Sequence, residues 1–255
     1  MSSSGAGWQS PFIGVIGGVG PGATAVFMDV LVRATRAEVD QDHIDALVMQ
    51  HASIPDRTAH ILDPGAFPDP GPVLARDAAF LEAAGAAFLV LPCNTAHHYA
   101  AQVSAATRIE LVSIVEVTVR AAAARLKERG LEGAPVAILA TEGNVRAGVY
   151  QEALERAGLA SLVPDEATQS VINAVIYEQV KAGRPVDMAA LTRVIDQMEQ
   201  RGAGAVILGC TELSLVFDKE AMVSDQRLVD SLRELAIATV RRAGKPLTDE
   251  FAAAR

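Results

Sequence analysis

The chain has 255 residues, with 22 Lys and Arg against 31 Asp and Glu and a formal charge of -9. Half of the residues are hydrophobic but only 4% are aromatic, so the apolar mass is Ala, Val, Ile and Leu, as in a globular chain of one large or two small domains. Collagenous, disordered and disulfide-stapled classes are excluded, and the acidic total leaves no basic stripe for nucleic acid.

Residues 1–10 have no basic start and no apolar run, so they read as a polar tail rather than a signal peptide. The longest apolar stretches, such as 86–91, fall far short of the roughly 18 residues that span a bilayer, so no membrane partner is expected. The expected location is a reducing cytoplasm. Further along, the runs 12–16 (FIGVI), 46–50 (ALVMQ), 88–91 (FLVL) and 111–115 (LVSIV) predict buried strands. Between them, 24–38, 73–84 and 96–107 carry helical periodicity. Ser53 to Pro72 is rich in Pro, Gly and Asp, lacks a period, and reads as a long loop of the kind that often carries function. The second half repeats the alternation, with strands at 136–140 (VAILA) and 205–208 (AVIL) and helices at 147–157, 165–182 and 188–201. This pattern predicts an α/β protein with mainly parallel sheets and crossover helices.

An internal match sets the expected architecture. Gly85, Ala86, Leu91 and Cys93 fall on Gly202, Ala203, Leu208 and Cys210 at an offset of 117, with Glu82 on Glu199 one turn upstream. The segment from Ile13 falls on that from Val136 at an offset of 123, with Phe27 on Tyr150 and Leu31 on Leu154. The Pro-rich loop could supply the extra residues of the first half. Two matches in the same order, one ending on each cysteine, predict two similar Rossmann-like units related by pseudo-twofold symmetry, with a cleft between them. The expected division is 1–116 plus 227–255 for the first unit and 117–226 for the second.

Cys93 and Cys210 are the only cysteines, and each follows a predicted strand and precedes a predicted helix. That is the carboxyl edge of a parallel sheet, where ligands bind. The helix N-terminus beyond each cysteine offers unpaired N–H donors to an anion and favours a thiolate. Inert core cysteines or a Cys93–Cys210 disulfide are the alternatives. The repeat argues against the first and a reducing compartment against the second. Two thiols facing one ligand from opposite sides suit removal of a proton from one face of a carbon and its return to the other.

Six motifs carry a family resemblance: Gly14-Val-Ile-Gly-Gly-Val-Gly-Pro-Gly-Ala-Thr24, Ile54-Pro-Asp-Arg-Thr58, Pro92-Cys-Asn-Thr-Ala-His97, Leu139-Ala-Thr141, Ile176-Tyr-Glu-Gln-Val-Lys181 and Gly209-Cys-Thr-Glu212. With them the chain resembles the cofactor-independent aspartate/glutamate racemase superfamily, and the Pro-Asp-Arg-Thr loop points to its aspartate branch. The resemblance implies that Cys93 and Cys210 transfer the α-proton of an acidic amino acid. It further implies that Arg57, Asn94, Thr95, Thr141, Lys181 and Thr211 line the substrate site, that no cofactor or metal takes part, and that the protein is a homodimer. The chemistry is consistent: Arg57 can grip a carboxylate through two parallel hydrogen bonds, and Lys181 adds a second cation. Against these roles stand a solvated loop arginine and a C-capping lysine.

Three departures from the family pattern stand out: Val19 where Met is common, a packing change, and two that bear on substrate, Gln50 where Asn is expected and Glu142-Gly143-Asn144 after Thr141. Other chemistries fit less well. The glycines of 14–22 do not follow dinucleotide-binding spacing. Cys93, His97 and His98 lack a second ligand pair for zinc. A His97–Cys93 pair would make a single-cysteine isomerase, decarboxylase or hydrolase of the same superfamily. A two-lobed binding protein for an acidic metabolite is the reading outside catalysis.

Overall fold

The computed structural model describes residues 11–219 and 225–252; the tail read at 1–10 lies outside the described residues. Strands β1 (Ile13–Gly17), β2 (Ala46–Gln50), β3 (Leu89–Val90) and β4 (Leu111–Val112) form a parallel sheet in the order β2-β1-β3-β4. Strands β5 (Val136–Leu139), β6 (Ser161–Leu162), β7 (Ala205–Leu208) and β8 (Leu228–Asp230) form a second one in the order β6-β5-β7-β8. The orders are identical under the repeat, so the α/β expectation and the paired parallel sheets hold. Phe27 and its counterpart Tyr150 are both fully buried, as are Leu31 and Leu154.

The central strands β1, β3, β5 and β7 are buried on both faces, and their two-residue period divides the core. Ile13 and Val15 of β1, Val136 and Ile138 of β5, and Ala205 and Ile207 of β7 point into one cluster between the sheets. Helices α1 (Pro21–Ala34), α5 (Ile114–Glu128), α7 (Val149–Arg156) and α11 (Ser231–Arg242) fill that layer. On the outer face of the first sheet, Ile16, Leu89 and Leu91 pack on Leu74 and Leu81 of α3 (Gly71–Ala83). On the outer face of the second, Leu139, Val206 and Leu208 pack on Ile172 of α8 (Glu166–Asn173) and on Leu191 and Ile195 of α9 (Met188–Gln200). Burying such a side chain is worth about 1.5–3 kcal/mol, so the shared central layer joins the two sheets.

The structure departs from the sequence reading at several element ends, as where the strand read at 111–115 stops at Val112 and α5 starts at Ile114 and where the helix read over 24–38 ends at Ala34, and more fully at the following places. The loop read at 53–72 contains the helix α2 (Arg57–Leu62), which six residues without a period could not signal. Asp56 starts it, its side chain accepting from the Ala59 N–H at 2.8 Å. Secondly, the segment after Cys93 is a 3₁₀ turn, Thr95–Tyr99, before α4 (Ala100–Ala105). The Cys93 carbonyl that would close a first α-turn faces His97 Nδ1 at 2.9 Å instead. Thirdly, the helix read over 165–182 becomes a π-helix at Ala174–Val180, with Lys181 N–H donating to Ile176 O, five residues back, at 3.0 Å. Lastly, β8 pairs with β7, so by sheet membership 228–230 belong with the second half although the sequence division ends that unit at 226. The return to the first half begins with α11, which packs on α1 and α5, and ends in α12 (Asp249–Ala252).

The halves meet closely where α2 faces α6 (Glu142–Arg146). A Cβ on Gly143 would stand 2.8 Å from Thr58 Cα and 2.9 Å from its side chain, so only glycine permits this approach. Gly143→Ala must separate α2 from α6 and is expected to cost about 1–3 kcal/mol, lowering the melting temperature by roughly 2–10 °C. Thermal unfolding followed by circular dichroism measures this, and an unchanged melting temperature would mean that the contact is not tight.

Candidate active site

Each cysteine stands just past a strand whose residues are fixed by the core. Cys93 follows β3 through Leu91 and Pro92, and Cys210 follows β7 through Gly209. A Cβ on Gly209 would meet the Tyr150 ring at 2.9 Å, so glycine lets the strand end lie against that ring. Beyond Cys210 the chain enters α10 (Thr211–Lys219), whose first amides are free of intrahelical partners.

The two strand ends face one small cavity. It is lined by Val19, Asp56, Arg57, Thr58, Cys93, Asn94, Thr95, Thr141, Tyr177, Lys181, Cys210, Thr211 and Glu212. All eight residues singled out in the sequence therefore come together here, from five chain segments and both halves. Both cysteines are free and buried. The cavity holds about 20 Å³, room for about one water. A wider pocket of about 390 Å³ adjoins it, shares Asp56, Arg57, Lys181 and Glu212, and is otherwise lined by Gly18, residues 20–23, Ala52, Ile54, Val180 and Leu215.

Hydrogen bonds fix the polar lining. Asn94 donates its side-chain amide to Ser231 Oγ at 2.9 Å and accepts from the Tyr150 hydroxyl, and Ser231 in turn donates to Leu208 O at 2.8 Å. Burial pushes the Tyr150 phenol well above its usual range, so it stays a donor. Thr141 caps α6, its Oγ1 accepting from Asn144 N–H at 3.2 Å. The same hydroxyl lies 3.1 Å from Thr95 Oγ1 and 3.3 Å from Thr58 Oγ1, so three threonines from the two halves meet at one point.

Charge enters from three sides. Arg57 donates one terminal nitrogen to the Pro55 carbonyl at 2.9 Å and to the Ile54 carbonyl at 3.3 Å, while its buried Nε has no hydrogen-bond partner. Lys181 Nζ lies 4.5 Å from the Tyr177 ring centre and 3.9 Å from Glu212 Oε1. It ends the π-helix, yet its side chain turns into the cavity rather than over the helix carbonyls. Cys210 donates its S–H to Glu212 Oε2 at 3.0 Å. Burial pushes the Cys93 thiol up, opposed chiefly by the Arg57 charge. Burial pushes Cys210 up further, and the Glu212 carboxylate adds to it.

His97 is occupied elsewhere. Its Nδ1 donates to the Cys93 carbonyl and its Nε2 accepts from Ile114 N–H at 3.3 Å, so the ring is neutral and neither nitrogen is available to activate a thiol. The departures noted in the sequence mostly lie aside. Gln50 donates to Pro21 O at 3.2 Å, Glu142 is half-exposed 3.8 Å from Arg146, and Asn144 is buried behind Thr141, so only Val19 touches the cavity. Among the lining residues the sequence reading did not assign Val19, Asp56, Thr58, Tyr177 or Glu212. A signal existed for four of them: Asp56 and Thr58 flank Arg57, Glu212 closes its cysteine motif, and Tyr177 precedes Lys181 by one helical turn.

Two matching α/β halves that bring a cysteine each to one dry, cation-bearing cavity define a class of two-lobed protein built around a paired-thiol site. Residues 16–239 match the family model Asp/Glu/Hydantoin racemase, and the chain belongs to that family. The broad specificity amino-acid racemase RacX of Bacillus subtilis is 25% identical over 234 residues, 89% of this chain and 96% of RacX. An aspartate racemase from Picrophilus torridus superposes with a TM-score of 0.77 at 25% identity, covering 95% of this chain and 98% of that one. A glutamate racemase isoform of Bacillus anthracis, at 19% identity and a TM-score of 0.61 over 95% of this chain and 85% of its own, shares the fold. No helix among the described residues is long and apolar enough to cross a membrane.

Burial holds His97 neutral and lowers its pKa to about 4. In the unfolded chain it takes up a proton near 6.5, so its contribution to stability is complete above that pH and falls away between about 6.5 and 4. Urea unfolding of the parent should lose on the order of 3 kcal/mol more than that of His97→Gln over this interval. Equal pH dependence of the two proteins would contradict the burial of a neutral ring.

Proposed function

We propose that the protein is an amino-acid racemase of the aspartate type, in which two cysteines carry the α-proton and no bound cofactor is needed. The observation behind this reading is that one cavity takes a thiol from each of two equivalent strand ends. A substrate between them meets sulfur on both faces of its α-carbon. One sulfur, as thiolate, accepts the α-proton; the S–H bond of the other breaks and its proton goes to the opposite face, inverting the carbon. The negative charge built up at the α-carbon spreads onto the carboxylate. Donors from Asn94, Thr95, Thr141 and Thr211, with the amides opening α10, are suited to stabilise it there. Arg57, whose Nε is unpaired, is suited to a carboxylate, and Lys181 supplies a second cation to a protein that is acidic overall.

A cavity of about 20 Å³ is too small for an amino acid, so this conformation is read as the closed state, and the halves part to admit substrate through the adjoining pocket. Closure then excludes water and strengthens the electrostatics around the thiols. The homodimer stays a proposal from family resemblance. A single-cysteine reaction is disfavoured because both His97 nitrogens are taken.

One observation favours a broader substrate range. The adjoining pocket of about 390 Å³ is lined largely by small and apolar groups and could hold a side chain longer than that of aspartate. The similarity to a broad specificity racemase agrees with this.

Chiral chromatography after incubation with each enantiomer of aspartate, glutamate and a set of neutral amino acids tests both readings. The parent should racemise at least one of them, aspartate foremost, and Cys93→Ala and Cys210→Ala should each lose about 10³-fold or more. Full activity in either variant would remove the two-cysteine mechanism, and binding of acidic amino acids without inversion would favour a binding protein.

A further inference from the structure

Glu212 closes the Gly-Cys-Thr-Glu motif, yet the two-cysteine reaction leaves it without a role. It is almost wholly buried, and it opens α10 beside the sulfur it touches. Its two carboxylate oxygens are used differently. Oε2 accepts from Cys210 S–H at 3.0 Å and from Thr211 Oγ1 at 3.4 Å, while Oε1 lies 3.9 Å from Lys181 Nζ. The glycine loop leaves room for it: a Cβ on Gly20 would stand 3.1 Å from Oε1. Cys93 has no such partner among the described residues, and its strongest charged influence is the Arg57 cation. The pseudo-symmetric halves are therefore unlike where it matters chemically. Asn94 and Thr95 follow one sulfur, and Thr211 and a carboxylate follow the other.

We propose that Glu212 is a positioning residue that holds the proton on Cys210, making Cys210 the resting acid and Cys93 the sulfur that begins a turnover as base. The proposal deepens the two-cysteine reading and rests on it. The groups facing Cys210 divide by sign. Glu212 from α10 and Asp56 from the start of α2 oppose its ionisation. Lys181 from the end of the π-helix and Arg57 favour it, and Thr211, Tyr177 and Cys93 complete the wall. Glu212 is the one in contact with the sulfur. A carboxylate there accepts the S–H bond and repels a thiolate, so one contact both orients the proton and keeps it in place. When Cys210 has given its proton to substrate, the same carboxylate would face a thiolate. Lys181 is near enough to both to offset that repulsion until the next proton arrives.

The chain has two cysteines, so Cys93→Ala leaves Cys210 as the sole thiol of the full-length protein. Alkylation of that thiol by iodoacetamide at fixed pH, followed by mass spectrometry, reads its thiolate fraction whether or not any amino acid is turned over. Adding Glu212→Gln, which keeps the shape but removes the charge, should accelerate Cys210 alkylation about tenfold at pH 8. Glu212→Asp should give a smaller acceleration and serves if the glutamine variant does not fold. In the Cys210→Ala background, the same substitutions should change Cys93 alkylation far less. An unchanged Cys210 rate, or an equal acceleration of both thiols, would overturn the proposal. Undiminished racemisation by Cys93→Ala would sink the two-cysteine reading instead, a separate result.

Discussion

Two thiols taken out of water resist ionisation, and this cost governs the rest of the site. Burial is the largest influence on both Cys93 and Cys210 and pushes each upward. A buried thiol with nothing to counter that is an inert core residue. Here the counterweights are specific. The Arg57 guanidinium acts on Cys93, the Lys181 ammonium on both, and the opening amides of α10 lie beside Cys210. The burial that raises the thiols also makes each of these charges stronger than it would be in water. The chain is acidic overall at -9, and the cavity sets Arg57 and Lys181 beside Asp56 and Glu212, so under the proposed function these two cations are what an acidic substrate would meet.

The fold meets that constraint by repetition. Two sheets of the same strand order share a central helical layer, so a core continuous between them turns both carboxyl edges toward one cavity. The contacts across the cleft are small and polar: Thr58 and Thr95 on Thr141, and Tyr150 through Asn94 to Ser231. Such contacts can break and reform more readily than an apolar interface, as a cleft that must admit substrate requires. The π-helix adds to this. It carries Tyr177 and Lys181 from the second half over a cavity whose other cation comes from the first.

Much of this was legible in the sequence because it rests on periodicity. The strand runs at 12–16, 136–140 and 205–208 are buried on both faces, and they and the half-buried 46–50 stand within a residue or so of where the pattern put them. The repeat aligned Phe27 with Tyr150 because both fill equivalent places in the central layer. What periodicity could not carry was missed. The strands Ser161–Leu162 and Leu228–Asp230 are too short to show a pattern, and α2 is a single capped turn and a half inside a Pro-rich passage. The 3₁₀ turn after Cys93 depends on one side chain, His97, whose contact with the Cys93 carbonyl no local propensity foretells. The candidate site was legible where a residue carries charge or sulfur in a motif. For Tyr177 and Glu212 the motifs gave a position but no role, because their relevance lies in which neighbour they touch.

The central claim is that the two sulfurs address opposite faces of one carbon, and the isotope content of the two enantiomers tests it most directly. Racemisation of a single enantiomer of aspartate is started in heavy water and stopped early, and each enantiomer is then separated and weighed by mass spectrometry. Two opposed sulfurs predict that the inverted product carries one solvent deuterium at its α-carbon while the remaining substrate keeps its proton. Deuterium accumulating equally in both enantiomers from the first time points would mean that a single base serves both faces, contradicting the account.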